Sequence, residues 1–476
     1  MSDKISRYIT TTLPYVNADP HIGFAYEIVR ADALARYWRL MGHEVFFNTG
    51  TDEHGQKIAD KADAKGEDRQ TYVDHYAAEF KRLGEGLNLS YDAFIRTTDA
   101  NHILAAQEIW RRCAKNGDIY KKKYSGLYCV GCELFYKEPE LLEGNICPIH
   151  TTKAQVVEEE NYFFKLSNYQ TYLEQYLSNE GVIEPEWRRQ EAINFVKSGL
   201  EDFSISREKS RLNWGVPVPD DDDQVMYVWF DALTNYISTL GWPEDAAGNF
   251  KKFWTDGYVL QVGGKDQVRF QSVMWQAMLK SAGVKATDKV VYGGFINSGG
   301  QKMSKSIGNV ISPYELIERY GTDATRYLLL RHVHPFDDTD VTFERLDDWY
   351  TAGLVNGLGN LVARVMKMSE TYLEVEDFPP LDPTVLDAPE TYNLQQVVDY
   401  IWALIAKTDG VITETEPFKL IKSEPEKAKA ILSNLRLDLL HIGRLLFPIM
   451  PETSATIRTA VRANKKPENL FNRLEK

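Results

Sequence analysis

The order of apolar and polar residues near the start of the chain predicts a strand, a helix and a second strand. Residues 5–13 alternate and are rich in β-branched side chains, and Pro14 ends the pattern. Residues 44–50 again have the composition of a strand, and Gly42 before them supplies a helix stop. From Tyr26 onwards, apolar residues recur at helical spacing at Ile28, Ala31, Leu34, Trp38 and Met41. The pattern predicts a βαβ unit, in which the two strands are parallel.

A Pro-His-Ile-Gly turn at residues 20–23 joins the first predicted strand to the helix. In a βαβ unit this turn lies at the carboxyl edge of the sheet, where helix amides and the positive end of the helix dipole favour a phosphate group. Gly23 lets the backbone approach such a ligand, and His21 adds a hydrogen-bond donor. The same tripeptide recurs at residues 441–443 inside an apolar, helix-like run, which we interpret as core packing. His-Ile-Gly is therefore informative only in its context.

Helical spacing dominates the last part of the chain, from about residue 347, and predicts a helical bundle. The proline-rich residues 377–393 predict a long loop within it. The sequence as a whole predicts an α/β fold, with a Rossmann-like doubly wound parallel sheet, a connective insertion and a helical bundle. The predicted domains are residues 1–115 (first half of the sheet), 116–225 (connective insertion), 226–325 (second half of the sheet), 326–346 (joining segment) and 347–476 (helical domain).

Composition narrows the class of protein without identifying it. The chain has 476 residues, of which 43% are hydrophobic and 26% charged, and this fits a globular protein of roughly two to four domains. It contains no run of about 18 apolar residues, which excludes a membrane-spanning helix, and its first residues lack the features of a signal peptide. We therefore expect a cytoplasmic protein. The net charge of −14 does not exclude a nucleic-acid partner, since a basic stripe can coexist with an acidic average surface.

Three of the four cysteines, together with one histidine, have the spacing of a metal site. Cys129 and Cys132 form a C-x2-C pair, and after a gap of 14 residues Cys147 and His150 form a C-x2-H pair. Thiolate and imidazole ligands suit Zn²⁺, and four of them close a tetrahedral shell, which predicts a structural zinc site. Loose cysteines in a packed loop are the alternative. Cys113 has no partner nearby in the sequence and is interpreted as a small apolar residue.

A second chemical segment lies at residues 290–321, where a strand-like run leads into a Gly-Gly turn. The turn is followed by two lysines and two serines, Lys302, Ser304, Lys305 and Ser306. A mobile, glycine-flanked loop with these side chains can close on a polyphosphate and neutralise the charge that develops during its transfer. A solvated lysine loop is the alternative. The pairing with the first βα turn favours the phosphate clamp.

His-Ile-Gly after a first strand and Lys-Met-Ser-Lys-Ser after a late strand are the two signatures of class I aminoacyl-tRNA synthetases. Further segments, such as "FFNTGTDEHGQKI", "VMYVWFDALTNYIS" and "VGGKDQVRFQS", extend the similarity nearly from end to end. The chain resembles the methionyl-tRNA synthetase family. Related synthetases for leucine, isoleucine and valine carry a long editing insertion, for which this chain has no room.

The resemblance implies a ligase that forms methionyl-adenylate and pyrophosphate from methionine and ATP and passes the methionyl group to the 3′ end of tRNA(Met). Magnesium would accompany the nucleotide. The implied catalytic residues are His21, Gly23, Lys302 and Lys305. The implied ATP-binding residues are His21, Gly23, Glu27, Gly264, Asp266 and Lys305.

The resemblance also implies an amino-acid pocket in which Asp52 pairs with the substrate ammonium and apolar and aromatic side chains hold the thioether. Without the family, Trp229 and Tyr236 would be assigned to the core. Arg207 resembles an active-site residue of the family, whereas an exposed arginine is the interpretation from its sequence alone. The implied pocket residues are Leu13, Tyr15, Asp52, Trp229, Leu233, Tyr236, Phe270, Gln271 and Trp275.

Three residues depart from the family pattern. Phe24 stands where the first signature has its second histidine, so that one phosphate donor is missing, and removing such a donor costs about 2.7–4 kcal/mol in a transition state. Gln271 stands where a pocket histidine is usual, and its amide can still donate to the Tyr236 hydroxyl. Pro417-Phe418 replaces the proline-tryptophan pair that stacks on the anticodon, and Phe418 keeps a stacking face.

By resemblance, the helical bundle reads the CAU anticodon through Asn360, Arg364 and Phe418. A helix cap for Asn360 and a surface salt bridge for Arg364 are the alternatives from the residues alone. Two other functions remain open: a catalytically weak tRNA-binding paralogue, and an ATP-dependent adenylating enzyme with another acceptor. The chain ends without the extra module that makes some relatives dimeric, and we expect a monomer.

Overall fold

The structure, a computed structural model, describes residues 5–131, 134–149, 151–303, 308–378 and 391–474. The chain divides into two compact units, each assembled from segments that are separated in sequence. The first unit comprises Met1–Pro20, Phe46–Arg82 and Tyr91–Tyr292. The second unit comprises His21–Val45, Leu83–Ser90 and Gly293–Lys476.

Most strands of the described chain have seven residues or fewer, whereas β4 and β6 have 11 and 10. Two strands, β2 and β12, have residues in both units. The bounds of the strands are β1 Arg7–Thr11, β2 Val45–Thr51, β3 Ala93–Arg96, β4 Ile119–Cys129, β5 Leu134–Tyr136, β6 Gln155–Phe164, β7 Ile183–Glu184, β8 Phe203–Ser204, β9 Ser206–Glu208, β10 Gln224–Met226, β11 Tyr258–Gly264, β12 Lys289–Gly293, β13 Ile296–Ser298, β14 Gln301–Lys302 and β15 Thr339–Asp340.

The helices occupy most of the remaining described chain, and none of them combines the length and apolar composition needed to cross a membrane. Their bounds are α1 Ile22–Leu40, α2 Gln56–Lys65, α3 Arg69–Gly86, α4 Ala100–Lys115, α5 Gln170–Ser178, α6 Glu186–Lys197, α7 Val228–Ala232, α8 Asn235–Ser238, α9 Trp275–Ser281, α10 Pro313–Tyr320, α11 Thr322–His332, α12 Phe343–Tyr350, α13 Asn360–Tyr372, α14 Leu394–Thr415, α15 Pro417–Leu420, α16 Pro425–Leu445 and α17 Pro451–Ala463. Short 3₁₀ segments lie at Glu138–Glu140, Leu166–Tyr169 and Lys265–Gln267, and π-helical segments at Phe250–Thr255, Phe270–Met274 and Thr351–Gly359. Most of the predicted proline-rich loop, residues 379–390, lies outside the described residues.

Six strands form the central sheet of the first unit, in the order β3-β2-β1-β11-β12-β7. The pairs β1 with β11, β2 with β3 and β12 with β7 are parallel. The strand order, with β1 in the middle and later strands added on its other side, is that of a doubly wound sheet. Such sheets are buried on both faces, and from Tyr8 to Thr11 every residue of β1 is buried. The prediction of an α/β fold with a parallel sheet and a helical C-terminal region is confirmed.

The first predicted elements are all present, with one shifted boundary. The strands predicted at residues 5–13 and 44–50 correspond to β1 and β2. The helix begins at Ile22, before the apolar repeat from which it was predicted, because His21 acts as its N-cap and accepts a hydrogen bond from the Gly23 N–H. The signature turn therefore belongs to the first turn of α1.

A second sheet of the first unit, in the order β5-β4-β6-β8, falls within the predicted connective insertion. Strands β4 and β6 form a long antiparallel ladder that runs from Ile119 opposite Phe164 to Tyr128 opposite Gln155. Cys129, the first predicted zinc ligand, is the last residue of β4. The ladder thus holds in place the first residue of the predicted zinc segment. The predicted domain boundaries remain a prediction.

The core of the first unit is rich in buried aromatic side chains, and several of their polar ends have hydrogen-bond partners. Tyr8, Trp254 and Trp275 are fully buried. The Trp254 ring centroid lies 6.0 Å from that of Tyr8 and 6.3 Å from that of Trp275. The Trp254 indole donates to the Lys285 carbonyl at 2.9 Å, and the Tyr8 hydroxyl donates to the Tyr236 carbonyl at 2.8 Å. This packing supports the segments that carry Tyr236 and Trp275.

The second unit is mainly helical, with a small sheet in the order β14-β13-β15. Helices α16 and α17 approach closely at Gly443, where a Cβ atom would lie 3.0 Å from Cγ2 of Ile457. Gly443 belongs to the second His-Ile-Gly tripeptide, and its neighbour Ile442 is buried inside α16. The interpretation of this copy as core packing is confirmed.

A buried ionic network joins four segments of the second unit. Asp32 of α1 pairs with Arg326 at 2.8 Å and with Arg36 at 2.8 Å, and it accepts from the Ser90 N–H at 2.7 Å. Burial disfavours the charged carboxylate, but Arg326 and Arg36 outweigh that effect and hold the pKa of Asp32 below its usual value. Arg326 is fully buried and also donates to the carbonyl oxygens of Leu87, Pro448 and Ile449.

Candidate active site

The centre of the sheet in the first unit contains the point where ligands bind in doubly wound folds. The strand order reverses between β1 and β11, and such folds bind ligands outside the carboxyl ends of those strands. The backbone beyond β1 stays attached to β11, because the Thr12 N–H donates to the Val262 carbonyl at 3.1 Å. Leu13 and Tyr15 follow β1, and Gly264 is the last residue of β11. Three predicted site residues therefore share one sheet edge, and a tight 3₁₀ turn that contains the exposed Asp266 follows.

Asp52 lies just beyond the end of β2 and is held to the segment after β1. Its N–H donates to the Pro14 carbonyl at 3.0 Å, and its carbonyl accepts from the Val16 N–H at 3.1 Å. Tyr15 and Asp52 form an isolated parallel bridge. Asp52 is 4% exposed, so its carboxylate is largely withdrawn from water. A cationic ligand group that meets this carboxylate would be held in a partly desolvated environment.

Aromatic residues from two chain segments meet beside this edge. The rings of Trp229 and Phe270 are stacked, with centroids 4.0 Å apart and an interplanar angle of 16°. Tyr236 and Trp275 are buried and meet edge to face at 5.7 Å. Leu233, one turn after Trp229, is also buried. The predicted apolar and aromatic members of the pocket are thus brought together in two contacting ring pairs.

The predicted hydrogen bond of Gln271 is confirmed, since its Nε2 donates to the Tyr236 hydroxyl at 2.9 Å. Nε2 also lies 3.4 Å from Oγ1 of Thr12, at the end of β1. The amide packs so closely on Gly263 that a Cβ there would lie 2.6 Å from Oε1 of Gln271. A glycine is required at the end of β11 for this reason. Glutamine in place of the usual histidine therefore preserves the link to Tyr236.

Several buried polar atoms in this region have no hydrogen-bond partner among the described residues. Among the predicted pocket residues they include the Nε1 of Trp275, a donor, and the Oε1 of Gln271, an acceptor. Buried polar atoms are rarely left in this state, and an orphaned donor or acceptor costs about 1–3 kcal/mol. A polar ligand group that reaches these two atoms would supply the missing hydrogen bonds.

Arg207 is buried in the first unit, so the interpretation of an exposed arginine is wrong. Its Nη1 donates to Oγ of Ser204 at 3.0 Å and to the Ser206 carbonyl at 2.7 Å. Its guanidinium lies 4.6 Å from the ring centroid of Tyr227, the residue that precedes α7. Aromatic faces and backbone carbonyls replace water around the cation.

In the second unit, the signature turn presents a histidine with a defined tautomer. Nδ1 of His21 accepts from the Gly23 N–H at 3.1 Å, which leaves the proton of the neutral imidazole on Nε2, where it is a donor. A Cβ on Gly23 would lie 3.0 Å from Nδ1 of His21, so glycine keeps the ring in place. Phe24 and Glu27 follow in the first turns of α1, and both are half-buried.

The two signature segments meet in the second unit through the backbone. The Ile22 N–H donates to the Ile311 carbonyl at 3.3 Å, and Ile311 follows the lysine loop. Gly299, Gly300 and Gly308 flank that loop with φ of 64°, 73° and 74°, a backbone region that favours glycine. The backbone of Lys302 pairs with that of Asn297 in β13 and β14, whereas Lys305 lies outside the described residues.

Comparison with known proteins identifies the family. The family model described as "tRNA synthetases class I (M)" matches residues 7–149 and 137–366. The chain is 39% identical over 483 residues to a methionine–tRNA ligase of Thermotoga maritima, with 97% of this chain and 76% of that protein covered. The chain belongs to the methionine–tRNA ligase family. It is also 39% identical over 481 residues to the methionine–tRNA ligase of Brucella suis, covering 96% of this chain and 92% of that protein.

Solved structures of this family have the same fold. A Mycobacterium tuberculosis methionyl-tRNA synthetase in complex with methionyl-adenylate matches with a TM-score of 0.87 and 38% identity, covering 95% of this chain and 93% of that chain. The apo form of the enzyme from the same organism matches with a TM-score of 0.82 and 32% identity over the whole of both chains. The methionine–tRNA ligase fold therefore extends over the helical region as well as the sheet.

Only two of the four predicted zinc ligands lie among the described residues. Cys129 and Cys147 are both buried, whereas Cys132 and His150 lie outside the described residues. The Cys147 N–H donates to the Thr152 carbonyl at 2.8 Å, in a tight turn like those that carry metal ligands. The described residues contain no group of three metal-binding side chains, and a zinc site is not shown. Cys113 is fully buried, which confirms its interpretation as a small apolar residue.

The predicted anticodon-binding residues of the methionine–tRNA ligase lie in the second unit. Asn360 is the first residue of α13, and Phe418 lies in α15 with 43% of its surface exposed. Arg364 of α13 donates to Asp409 of α14 at 2.6 Å, which is the salt bridge named as the alternative to a base contact. The structure thus leaves Phe418 accessible to a base and engages Arg364 within the bundle.

Residues 54, 102 and 231 form a buried cluster that no sequence motif indicated. Asp231 accepts hydrogen bonds from His54 and His102, which are 177 and 129 residues away from it in the chain. A motif search examines short windows of sequence and cannot find such a contact. The only available signal was the presence of His54 two residues after Asp52, and of Asp231 between Trp229 and Leu233.

Proposed function

We propose that the chain catalyses the ATP-dependent activation of L-methionine and the transfer of the methionyl group to tRNA(Met). The observation that carries the proposal is the near full-length likeness, in sequence and fold, to methionine–tRNA ligases, one of them in complex with methionyl-adenylate. The aromatic side chains and the buried Asp52 carboxylate near the sheet switch point support it.

The methionine site of this proposal lies in the first unit. The buried Asp52 carboxylate receives the ammonium group, and their attraction is strengthened because the carboxylate is largely withdrawn from water. Trp229, Phe270 and Trp275 contact the thioether, whose sulfur interacts favourably with ring edges. Leu13, Tyr15, Leu233, Tyr236 and Gln271 complete the pocket. The unpartnered Nε1 of Trp275 and Oε1 of Gln271 are available for polar groups of the ligand.

The ATP site of this proposal uses residues of both signatures. The Nε2–H of His21 and the backbone at Gly23 hold phosphate oxygens, and Lys302 and Lys305 neutralise the charge of the leaving pyrophosphate. Glu27, Gly264 and Asp266 hold the adenosine. When bound with the nucleotide, Mg²⁺ supplies further neutralisation and keeps most of its own water ligands, so it needs few protein side chains.

The protein has little covalent chemistry to carry out in this reaction, and its main contribution is to position the substrates. A carboxylate oxygen of methionine attacks the α-phosphorus of ATP, the bond to the bridging oxygen breaks, and pyrophosphate leaves with the electron pair. The terminal ribose hydroxyl of tRNA then attacks the carbonyl carbon, and AMP leaves. The pocket aligns the carboxylate with the phosphorus, and oriented donors stabilise the developing charge.

ATP–pyrophosphate exchange with each amino acid tests the activity, and Phe24→His tests the missing donor. We expect exchange with methionine alone, and a kcat increase of about tenfold in the variant, below the full worth of a preorganised donor. Charging of a transcript with a CAU anticodon tests the second step. Charging by another amino acid, or tRNA binding without any exchange, would favour the alternative functions instead.

We also propose that Cys129, Cys132, Cys147 and His150 hold a structural zinc ion. Burial of two thiols at the end of a β-ladder and on a tight turn fits this role, because zinc binds thiolates that are withdrawn from water. With four protein ligands the ion has no open position, and it takes no part in the reaction.

Metal analysis of the purified chain tests the zinc proposal. We expect close to one zinc per chain and a loss of most of it in Cys147→Ser, together with a lower melting temperature, because structural zinc contributes directly to folding. Cys113→Ser is the matched control, since Cys113 is equally buried but lies outside the knuckle. Zinc retained at full stoichiometry in Cys147→Ser would refute the ligand set.

The remaining predicted features of the enzyme stay proposals. Phe418 stacks on an anticodon base, and Asn360 and Arg364 contact bases, for which Arg364 must exchange its bond to Asp409. A monomer in the cytoplasm is the form in which we expect the enzyme to act. The predicted domain boundaries, at residues 115, 225, 325 and 346, are proposed on sequence grounds alone.

A further inference from the structure

A buried carboxylate in the first unit is bound by two imidazoles. Asp231 of α7 accepts from Nδ1 of His54 at 2.6 Å through one oxygen and from Nε2 of His102 at 2.7 Å through the other. Asp231 and His102 are fully buried, and His54 is 5% exposed. None of these three residues belongs to the proposed methionine or ATP sites.

The charge of the cluster fixes the direction of its hydrogen bonds. Burial disfavours the ionised carboxylate, but His54 and His102 outweigh that effect and hold the pKa of Asp231 below its usual value. The ionised carboxylate only accepts, so both imidazoles donate to it. Nδ1 of His102 lies 2.9 Å from the Ser238 hydroxyl. Hydrogen bonds therefore connect Ser238, His102, Asp231 and His54 in one chain.

The two imidazoles attach Asp231 to different parts of the first unit. His102 lies on α4, and Ser238, its other partner, lies on α8. His54 lies beyond the end of β2, and its ring meets the edge of Trp214 at 5.6 Å. Trp214 in turn donates to the Glu53 carbonyl at 2.7 Å, which holds the same segment. His102 thus anchors Asp231 in the core, whereas His54 connects it to the strand end.

The strand end and α7 are the two segments that carry opposite sides of the proposed methionine pocket. Asp52 lies two residues before His54, and Asp231 lies between Trp229 and Leu233. The bond between His54 and Asp231 therefore joins the segment that holds the proposed ammonium ligand to the helix that carries Trp229, one of the proposed thioether contacts. Displacement of either segment by about 1 Å would misalign the substrate.

We propose that His54 and Asp231 are positioning residues that set the distance between the ammonium-binding and the thioether-binding sides of the methionine pocket. The inference rests on the proposed assignment of Asp52, Trp229 and Leu233 to that pocket. His54 and Asp231 touch no substrate in this account, and they act only through the segments to which they belong.

The test compares substitutions of the two imidazoles in the full chain. His54→Leu removes the donor to Asp231, while His54→Asn keeps a donor close to the position of Nδ1. His102→Leu is the matched control, because it removes the other donor to the same carboxylate on the core side. The readouts are the KM values for methionine and ATP and the kcat in pyrophosphate exchange, together with the melting temperature.

We expect His54→Leu to raise the methionine KM by roughly tenfold to a hundredfold, with little change in the ATP KM. His54→Asn should restore the methionine KM to within about threefold of the wild-type value. His102→Leu should lower the melting temperature at least as much as His54→Leu and leave the methionine KM within about threefold. A purely structural cluster would move the melting temperature in both variants and the methionine KM in neither.

The outcomes separate this inference from the pocket assignment on which it rests. If Asp52→Asn leaves methionine binding unchanged, the pocket assignment fails. If Asp52→Asn weakens methionine binding but His54→Leu does not, or if His54→Leu and His102→Leu weaken it equally, the positioning role is overturned. If His54→Leu does not fold, His54→Gln takes its place, since its amide is displaced from the position of Nδ1 by one methylene and is expected to raise the methionine KM more than His54→Asn.

Discussion

Asp52→Asn is expected to raise the methionine KM in pyrophosphate exchange by on the order of 10²-fold or more, with the ATP KM nearly unchanged. Removing one partner of a buried, hydrogen-bonded charge pair costs about 2–5 kcal/mol, much of it from the unpaired charge that remains. Asp52 is 4% exposed and its backbone is held on both sides, so water cannot easily replace the lost carboxylate. Asparagine has the same shape, and the fold should persist.

Two substrate analogues separate the loss of charge from a general disturbance of the pocket. Methioninol keeps the ammonium group and lacks the carboxylate, whereas des-amino methionine keeps the carboxylate and lacks the ammonium. Inhibition by methioninol should weaken in Asp52→Asn as much as methionine binding does, and inhibition by the des-amino analogue should not change. Equal weakening of both analogues would contradict the assignment of Asp52 to the ammonium group.

Arg326→Met is expected to lower the free energy of unfolding by about 3–5 kcal/mol, because it leaves a buried charge without its main partner. Arg326 is fully buried, and it binds Asp32 and three backbone carbonyls from two other segments. Methionine fills a similar volume without replacing any of these bonds. Arg36 still contacts Asp32 in the variant and prevents a larger loss.

Urea unfolding measures this loss, and Arg319→Met supplies the control. Arg319 pairs with Asp347 at 2.6 Å, but both side chains are about a third or more exposed, and surface pairs contribute only about 0–1 kcal/mol. The pKa of Asp32 is lowered in the folded state, so its stabilisation is present above the usual pKa of about 3.9 and is lost as the pH falls through the folded value. The difference in the free energy of unfolding between wild type and Arg326→Met should therefore become smaller at acidic pH. If this difference did not change with pH, Asp32 would not be the group that the substitution affects.

The local pattern of apolar and polar residues predicts a strand or helix well where the environment of that element is the same along its length. Strands β1 and β2 are rich in β-branched and aromatic residues and are largely buried in the sheet, and their positions are correctly predicted. The start of α1 is missed because the N-cap is His21, whereas serine, threonine, aspartate and asparagine are the usual signals. The start of α1 therefore depends on the hydrogen bond from the Gly23 N–H to the His21 side chain, which residue preferences for helix caps do not predict.

The candidate site is only partly accessible from sequence, since most of its contacts join distant residues. The bond between Gln271 and Tyr236 is predicted because the family supplies the pair, and the structure confirms it. The burial of Arg207 is missed because the rings of Tyr128 and Tyr227 that cover its guanidinium come from other elements. The same applies to Asp231, whose two imidazole partners come from α4 and from the segment after β2.

The second unit is built from chain segments that are far apart in the sequence, and this limits how the enzyme can be divided or recombined. The helix that begins at the signature turn belongs to the same unit as the helical bundle. Between Val45 and Gly293 the chain belongs to the first unit, apart from one short returning segment, Leu83–Ser90. Arg326 joins that helix, the returning segment and the turn before α17 in one ionic network. A bundle exchanged between two relatives would therefore have to bring matching partners for Asp32 and Arg326. The two ends of this gene are expected to be inherited together rather than shuffled as separate modules.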